Sequence, residues 1–249
     1  SSSNDSSITR VSTPTQGTFN PFLGVGQYSN SFTAGGDRIF MGSSADFQFG
    51  TGDFTVELFV NFTTAANDKS MIDFRPTNGS YSDAFGFTIT GTALKIFDTV
   101  NKGLGGTLSV NTWHHIVLQR VSGGLYAHVD GTATGTTVSY SVDLSNSSTQ
   151  CTIGATTGSS TAQFDGFISS VRITKGTALY GTGNFTPPSS YLTTTSQGAT
   201  ASEVKVLTCQ TNRYIDESNS GHSISTNGAP KVVAFSPFTP TASYSKSVH

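Results

Sequence analysis

The chain has 249 residues, of which 35% are hydrophobic and only 11% charged, with 18 phenylalanines, 27 glycines and a net charge of −2. Ordinary soluble domains carry roughly a quarter of their residues charged. Scarcity of the strong helix formers, with Thr, Val, Phe and Tyr between frequent Gly turns, excludes a helix-rich protein and points to an all-β one. No basic stripe offers a nucleic-acid surface, and no apolar run approaches the ~18 residues that span a bilayer, so neither nucleic acid nor membrane insertion is expected.

In chain order, the start Ser1-Ser2-Ser3-Asn4 has neither an initiator Met nor a signal-peptide pattern and reads as that of a fragment. The segment S-I-T-R-V-S-T-P-T-Q-G-T-F-N-P-F (7 to 22) follows, and it returns near the end as S-I-S-T-N-G-A-P-K-V-V-A-F-S-P-F (223 to 238). Ile8 answers Ile224, Pro14 answers Pro230, Phe19 answers Phe235, and Pro21-Phe22 answers Pro237-Phe238. The register, 216 residues throughout, carries on to Tyr28-Ser29 against Tyr244-Ser245. Such a period is the size of a whole domain, too long for a solenoid unit. It predicts tandem sandwiches, with 1 to 31 the tail of an opening segment, 32 to 192 the sandwich core, 193 to 203 a linker, and 204 to 249 the opening strands of the next repeat or a strand completing a sandwich.

Between these copies the strands are short and punctuated. Phe54, Val56, Leu58, Val60 and Phe62 alternate along one face of an extended run after Gly50-Thr51-Gly52. Runs at 85 to 89 and 93 to 97 flank a Gly91-Thr92 turn. Runs at 113 to 121 and 125 to 129 flank Ser122-Gly123-Gly124, and Asp130-Gly131 makes a further hairpin turn. A long strand is predicted over 164 to 173, one turn of helix at most over 174 to 180, and another strand over 204 to 209, free to complete this sandwich or a neighbour's. Cys151 and Cys209 do not make a disulfide framework. They read as small buried apolar residues, with a bridge left open.

Four segments carry a family resemblance: F-G-T-G-D-F-T-V-E-L-F-V (49 to 60), N-T-W-H-H-I-V-L-Q-R (111 to 120), L-Y-A-H-V-D-G (125 to 131) and F-D-G-F-I-S-S-V-R-I (164 to 173). They resemble the laminin-G-like branch of the concanavalin A-like lectin/glucanase superfamily, as does T-K-G-T-A-L-Y…F-T-P-P (174 to 188). The tail, L-T-C-Q-T-N-R-Y-I-D…F-S-P-F, resembles the linker and opening strands of tandem repeats in marine phage structural proteins. The resemblance implies an antiparallel two-sheet jelly roll.

The glucanases of that group carry an E-x-D-x-E array, and retaining hydrolysis needs two carboxyl groups about 5 Å apart. None of Glu57, Glu203 and Glu217 has an acidic residue two positions away. Asp53 and Glu57 stand four positions apart, roughly 13 Å along a strand, and read as a turn residue and a solvent-facing one. No catalytic residue and no enzyme activity is therefore expected. His114 and His115, adjacent on a strand, point to opposite faces and do not chelate one ion together. His128 is placed to approach one of them across the hairpin, and the imidazoles, with Trp113, read as packing at a sheet edge.

No cofactor is expected. The resemblance does bring calcium into view, held by rim carboxylates, for which Asp37, Asp83 and Asp98 are candidates whose spacing resembles no dedicated loop. It also brings in glycans, for which Tyr81 and Tyr180 are candidate aromatic platforms. The expected role is a non-enzymatic structural or adhesive repeat of a virion or cell-surface fibre, filament or decoration, extracellular or on the virion, with neighbouring copies and cell-surface glycans as partners. The other reading is a soluble lectin-like carbohydrate-binding module, dependent on calcium or not.

Overall fold

The structure, a computed structural model, describes residues 24 to 238 except 34, 66–67, 77–82 and 158–161. Among these residues the chain is strand and loop, with two single turns of 3-10 helix at Ala45–Phe47 and Ser196–Gly198. The strands are β1 (Ser29–Phe32), β2 (Arg38–Met41), β3 (Phe54–Phe62), β4 (Lys69–Asp73), β5 (Gly86–Thr90), β6 (Ala93–Phe97) and β7 (Asn101–Gly105). They continue as β8 (His114–Val121), β9 (Gly124–Val129), β10 (Thr132–Ser139), β11 (Cys151–Ile153) and β12 (Gly166–Lys175). The last are β13 (Val204–Thr208), β14 (Ser225–Asn227) and β15 (Lys231–Val233).

The front sheet runs β15-β1-β12-β3-β8-β9-β10, and the back sheet β14-β2-β11-β4-β5-β6. Every pairing given is antiparallel. The architecture is the all-β, two-sheet jelly-roll sandwich expected. On one side β7 joins the sheets, pairing along β6 and touching β10 where Gly105 meets Gly135. On the other, β14 pairs with β2 and β15 with β1, so a single segment of chain crosses from one sheet to the other and covers both outer edges. Exposed edges template further pairing, and here residues 225 to 233 take that place.

Alternation builds the interior. Phe54, Val56, Leu58, Val60 and Phe62 all point into the space between the sheets and are fully buried. Phenylalanines from loops and both sheets fill it: Phe49 lies 4.6 Å from Phe54, Phe74 5.1 Å from Phe85, and Phe54 stacks on Phe85 at 5.6 Å. Offset and edge-on aromatic contacts add to the burial of each ring. Arg120, also fully buried, threads into this core over the Phe54 ring and donates to the carbonyls of Gly50, Gly52 and Val142. Cys151 and Cys209 are buried in the same core as free thiols, Cys209 pushed up to about 12 by burial.

One irregularity sets the chemistry of the front sheet. In β12 the partners on β3 shift register between Ser169 and Arg172, and Ser170 sits at φ 47°. The extra residue of this bulge returns Val171 and Ile173 to the core and turns Arg172 outward. The bulge is also where β12 exchanges partners on its other edge, from β1 to β13. Residues 204 to 208 thus complete this sandwich in the same chain. Over 174 to 180, where one turn of helix at most was expected, there is none: β12 continues to Lys175, and Gly176 breaks away at φ 100°.

Candidate functional site

Both faces of β3 are buried along all nine residues. The chain after β12 returns across the outside of the front sheet as an irregular strap over residues 176 to 203. Thr55 anchors its start, its hydroxyl donating to the carbonyl of Thr177 at 2.9 Å and accepting from the amide of Leu179 at 3.0 Å. Gln119 bonds Gly181 and Tyr180. A small apolar cluster of Phe59, Leu192, Ala199, Val204 and Leu207 holds its end. Residues 193 to 203, expected as a linker, belong to this layer.

Beneath the strap lies a buried ionic cluster. Glu57, expected to face solvent, is fully buried, because the strap and not water lies over its face of β3. Its Oε1 lies 2.7 Å from Nε and 2.6 Å from Nη2 of Arg172, and its Oε2 lies 3.2 Å from Nε2 of His115 and accepts from the Tyr180 hydroxyl at 2.5 Å. Burial alone would raise the Glu57 pKa. The His115 hydrogen bond and the Arg172 charge outweigh it and hold the carboxyl below its ordinary value. Nη1 of Arg172 donates to the carbonyls of Thr193 and Ser196, so the ion pair also fastens the strap. Glu57 is thus a paired carboxylate sealed beneath the strap.

The histidines divide as their adjacency predicts. His114 Nδ1 meets Asp130 Oδ2 at 2.7 Å, and its Nε2 accepts from the Ser109 amide at 2.9 Å. His115 faces Glu57, well inside the sheet and not at its edge. His128 shares the outer face with His115. Both rings meet Phe185, at 5.2 and 5.9 Å, and His128 Nε2 bonds the carbonyl of Gly183.

Two of the three rim candidates, Asp37 and Asp98, are engaged by the protein itself. Asp37 accepts from the amide and hydroxyl of Thr33 and from the Ala229 amide at 2.7 Å. Asp98 accepts from the amides of Thr99 and Val100 and pairs with Lys102 at 2.7 Å. Asp83 is exposed in the turn before β5, at φ 66°. Among the described residues no three His, Cys, Asp or Glu side chains converge on one point. Tyr81 lies outside the described residues. Tyr180 is half-buried, its hydroxyl given to Glu57 and its ring stacked on Phe185 at 3.9 Å.

One open concavity, about 440 Å³, lies where the β9–β10 turn meets the end of β7. Gly106, Thr107, Val129, Asp130, Thr132, Ala133 and Thr134 line it. Asp130 is held at φ 50° in the turn, with Gly131 next at φ 76° and pressed so close to the carbonyl of Phe185 that no Cβ fits. Burial works against the charge on Asp130, but the His114 hydrogen bond and the His115 amide prevail and keep its pKa low. An ionised, half-exposed carboxylate therefore stands in a concavity that Thr107, Thr132 and Thr134 help to line.

Sequence reasoning missed Arg172 and Arg120. The signal for Arg172 was present: in a chain so poor in charge, a lone Glu and a lone Arg in the middle of two long strands are conspicuous. What alternation alone lacks is the strap that turns an outer face into a second interior.

Residues 33–179 match the laminin-G-type family of the concanavalin A-like lectin/glucanases superfamily. The chain belongs to this superfamily. A candidate carbohydrate-binding protein from Bacteroides ovatus is similar to it in structure, with a TM-score of 0.55 at 12% identity over 86% of this chain and 61% of that one. A native heptameric SAP-like pentraxin from Limulus polyphemus is similar to the same degree, with a TM-score of 0.55 at 13% identity over 87% of this chain and 99% of the pentraxin. At such identities the likeness is one of fold. No curated protein matches this sequence. Among the described residues no helix of this superfamily member is long and apolar enough to cross a membrane.

Proposed function

We propose that this chain is a non-enzymatic adhesive domain, a unit of an extracellular or virion-surface array, that takes glycan into the concavity at Asp130. The observation that carries the reading is the commitment of the middle of the front sheet: the strap closes its outer face over β3, and its one acidic group, Glu57, is tied to Arg172. Among the described residues the rim concavity is open to a ligand, its carboxylate and its exposed Thr107 and Thr132 suit the hydroxyls of a sugar, and its volume falls within the range of small-ligand sites. Superfamily membership and the Bacteroides neighbour support a glycan over other polar ligands. The 216-residue recurrence supports the array, in which many weak sites gain by avidity.

The test is a glycan array probed with the full chain and with a Thr107→Val/Thr132→Val double variant. Both threonines are exposed, so their loss leaves the fold intact. The double variant should lose about tenfold or more in binding, the weight of one or two hydrogen bonds, with an unchanged melting temperature. Binding should survive EDTA, because Asp37 and Asp98 already spend their oxygens on the protein. A chain that binds no glycan, or a double variant that binds as well as the parent, sinks the glycan reading. Loss of binding in EDTA would restore the calcium-dependent one.

A further inference from the structure

The recurring segment has a known place in this sandwich. Residues 223 to 238 form the seal that crosses between the sheets as β14 and β15. Ile224 packs against the main core. The carbonyl of Pro230 accepts from the Tyr214 hydroxyl at 2.5 Å. Phe235 lies edge-on to Phe167 at 4.8 Å and near Trp113 at 5.3 Å, and Phe238 lies edge-on to Phe59 at 4.9 Å. Ser236 donates to the carbonyl of Gly26 at 2.7 Å, tying the seal to the residues that lead into β1.

The two copies agree at the apolar anchors of the seal and differ chiefly along its two strands. Ile8, Pro14, Phe19, Pro21 and Phe22 stand for Ile224, Pro230, Phe235, Pro237 and Phe238. Asn20, a donor like serine, stands for Ser236. The changed positions are chiefly in β14, whose three side chains are exposed, and in β15, which has one exposed and two half-buried. Those strands dock through main-chain hydrogen bonds that do not depend on side-chain identity. Five residues separate Phe22 from Tyr28, which leads into β1, and five separate Phe238 from Tyr244.

We propose that residues 7 to 22 are the seal of a second sandwich of this kind. One unit then runs from about residue 23 to 238, and the five residues after Phe22 join that second sandwich's seal to Tyr28 and β1 of this one. The partner of segment 7 to 22 is a related domain and not an identical one. Gly228 sits at φ 72° with a Cβ position 2.4 Å from Asp37, and Ser12 stands at the matching place. The partner's groove must therefore differ opposite that residue. This inference rests on the array half of the reading above and is separable from the glycan half, since its test involves no sugar.

The test replaces residues 223 to 238 of the full chain with the 7 to 22 sequence, keeping Gly at 228. A second chain carries a scramble of the same composition, with Gly also kept. Amide hydrogen exchange at β1 and β2 is the readout. The exchanged chain should keep protection within about tenfold of the parent, and the scramble should lose about a hundredfold or more. If the exchanged chain loses as much as the scramble, or the scramble keeps as much as the parent, the proposal is overturned. Should the full exchange give no soluble protein, replacement of 231 to 238 by 15 to 22 is judged by the same two outcomes. Failure here with glycan binding intact would leave a solitary lectin-like domain.

Discussion

Phe54, Val56, Leu58, Val60 and Phe62 on the inner face of β3, and Thr55, Glu57, Phe59 and Asn61 on its outer face, are all buried. The inner residues meet apolar side chains from both sheets, and no single contact decides their place. The outer residues meet the strap, and one cluster of directed contacts, Glu57 with Arg172, His115 and Tyr180, decides theirs. Close packing is forgiving of shape when volume is kept, whereas a buried charge tolerates no loss of its partner. Equal burial should therefore hide unequal tolerance.

The sharpest way to break this comparison is to make isosteric changes on the two faces. Glu57→Gln keeps the shape and removes the charge, leaving the Arg172 guanidinium buried without a counter-ion. It should cost about 3–5 kcal/mol, measured by urea denaturation. Glu57→Leu/Arg172→Met, which removes both charges, should recover much of that loss, though not the bonds Arg172 makes to Thr193 and Ser196. A Glu57→Gln chain within about 1 kcal/mol of the parent would show that the cluster is wet, and the contrast between the faces would collapse. One position along, Leu58→Met conserves volume in the core and should cost less than about 1.5 kcal/mol. A larger loss there would make the inner face as exacting as the outer.

The inner face was legible in the sequence because alternation is a property of the strand itself. A period of two puts Phe54 through Phe62 on one side whatever else the chain does. The outer face was not legible, because its burial is decided by residues more than a hundred positions away. Glu57 reads as solvent-facing until Thr177, Tyr180 and Thr193 are laid over it. The bulge at Ser170 shows the intermediate case. The spacing of three between Ile168 and Val171 is visible in the sequence, but what it does, turning Arg172 toward Glu57, depends on a register shared with β3. Asp130 stood in view as a turn residue, while its company of threonines came from β10 and from the loop after β7.

The smallest effect is expected at His128, where a proton's preference is at stake and not a side chain's volume. Burial and the neighbouring His115 lower its pKa beneath the ordinary 6.5, more than the Gly183 carbonyl raises it. The unfolded chain therefore takes up a proton at this position before the folded one does. Stability from this site is complete above 6.5 and is lost as the pH falls from there toward the lower folded value. Urea denaturation at about pH 7.5 and pH 5.5 should show that slope in the parent. In His128→Asn, which can still donate to Gly183 but does not titrate, the slope should shrink. An unchanged slope would place the outer layer in contact with solvent at this end of the strap, and the second interior would then extend from Glu57 only as far as Phe185.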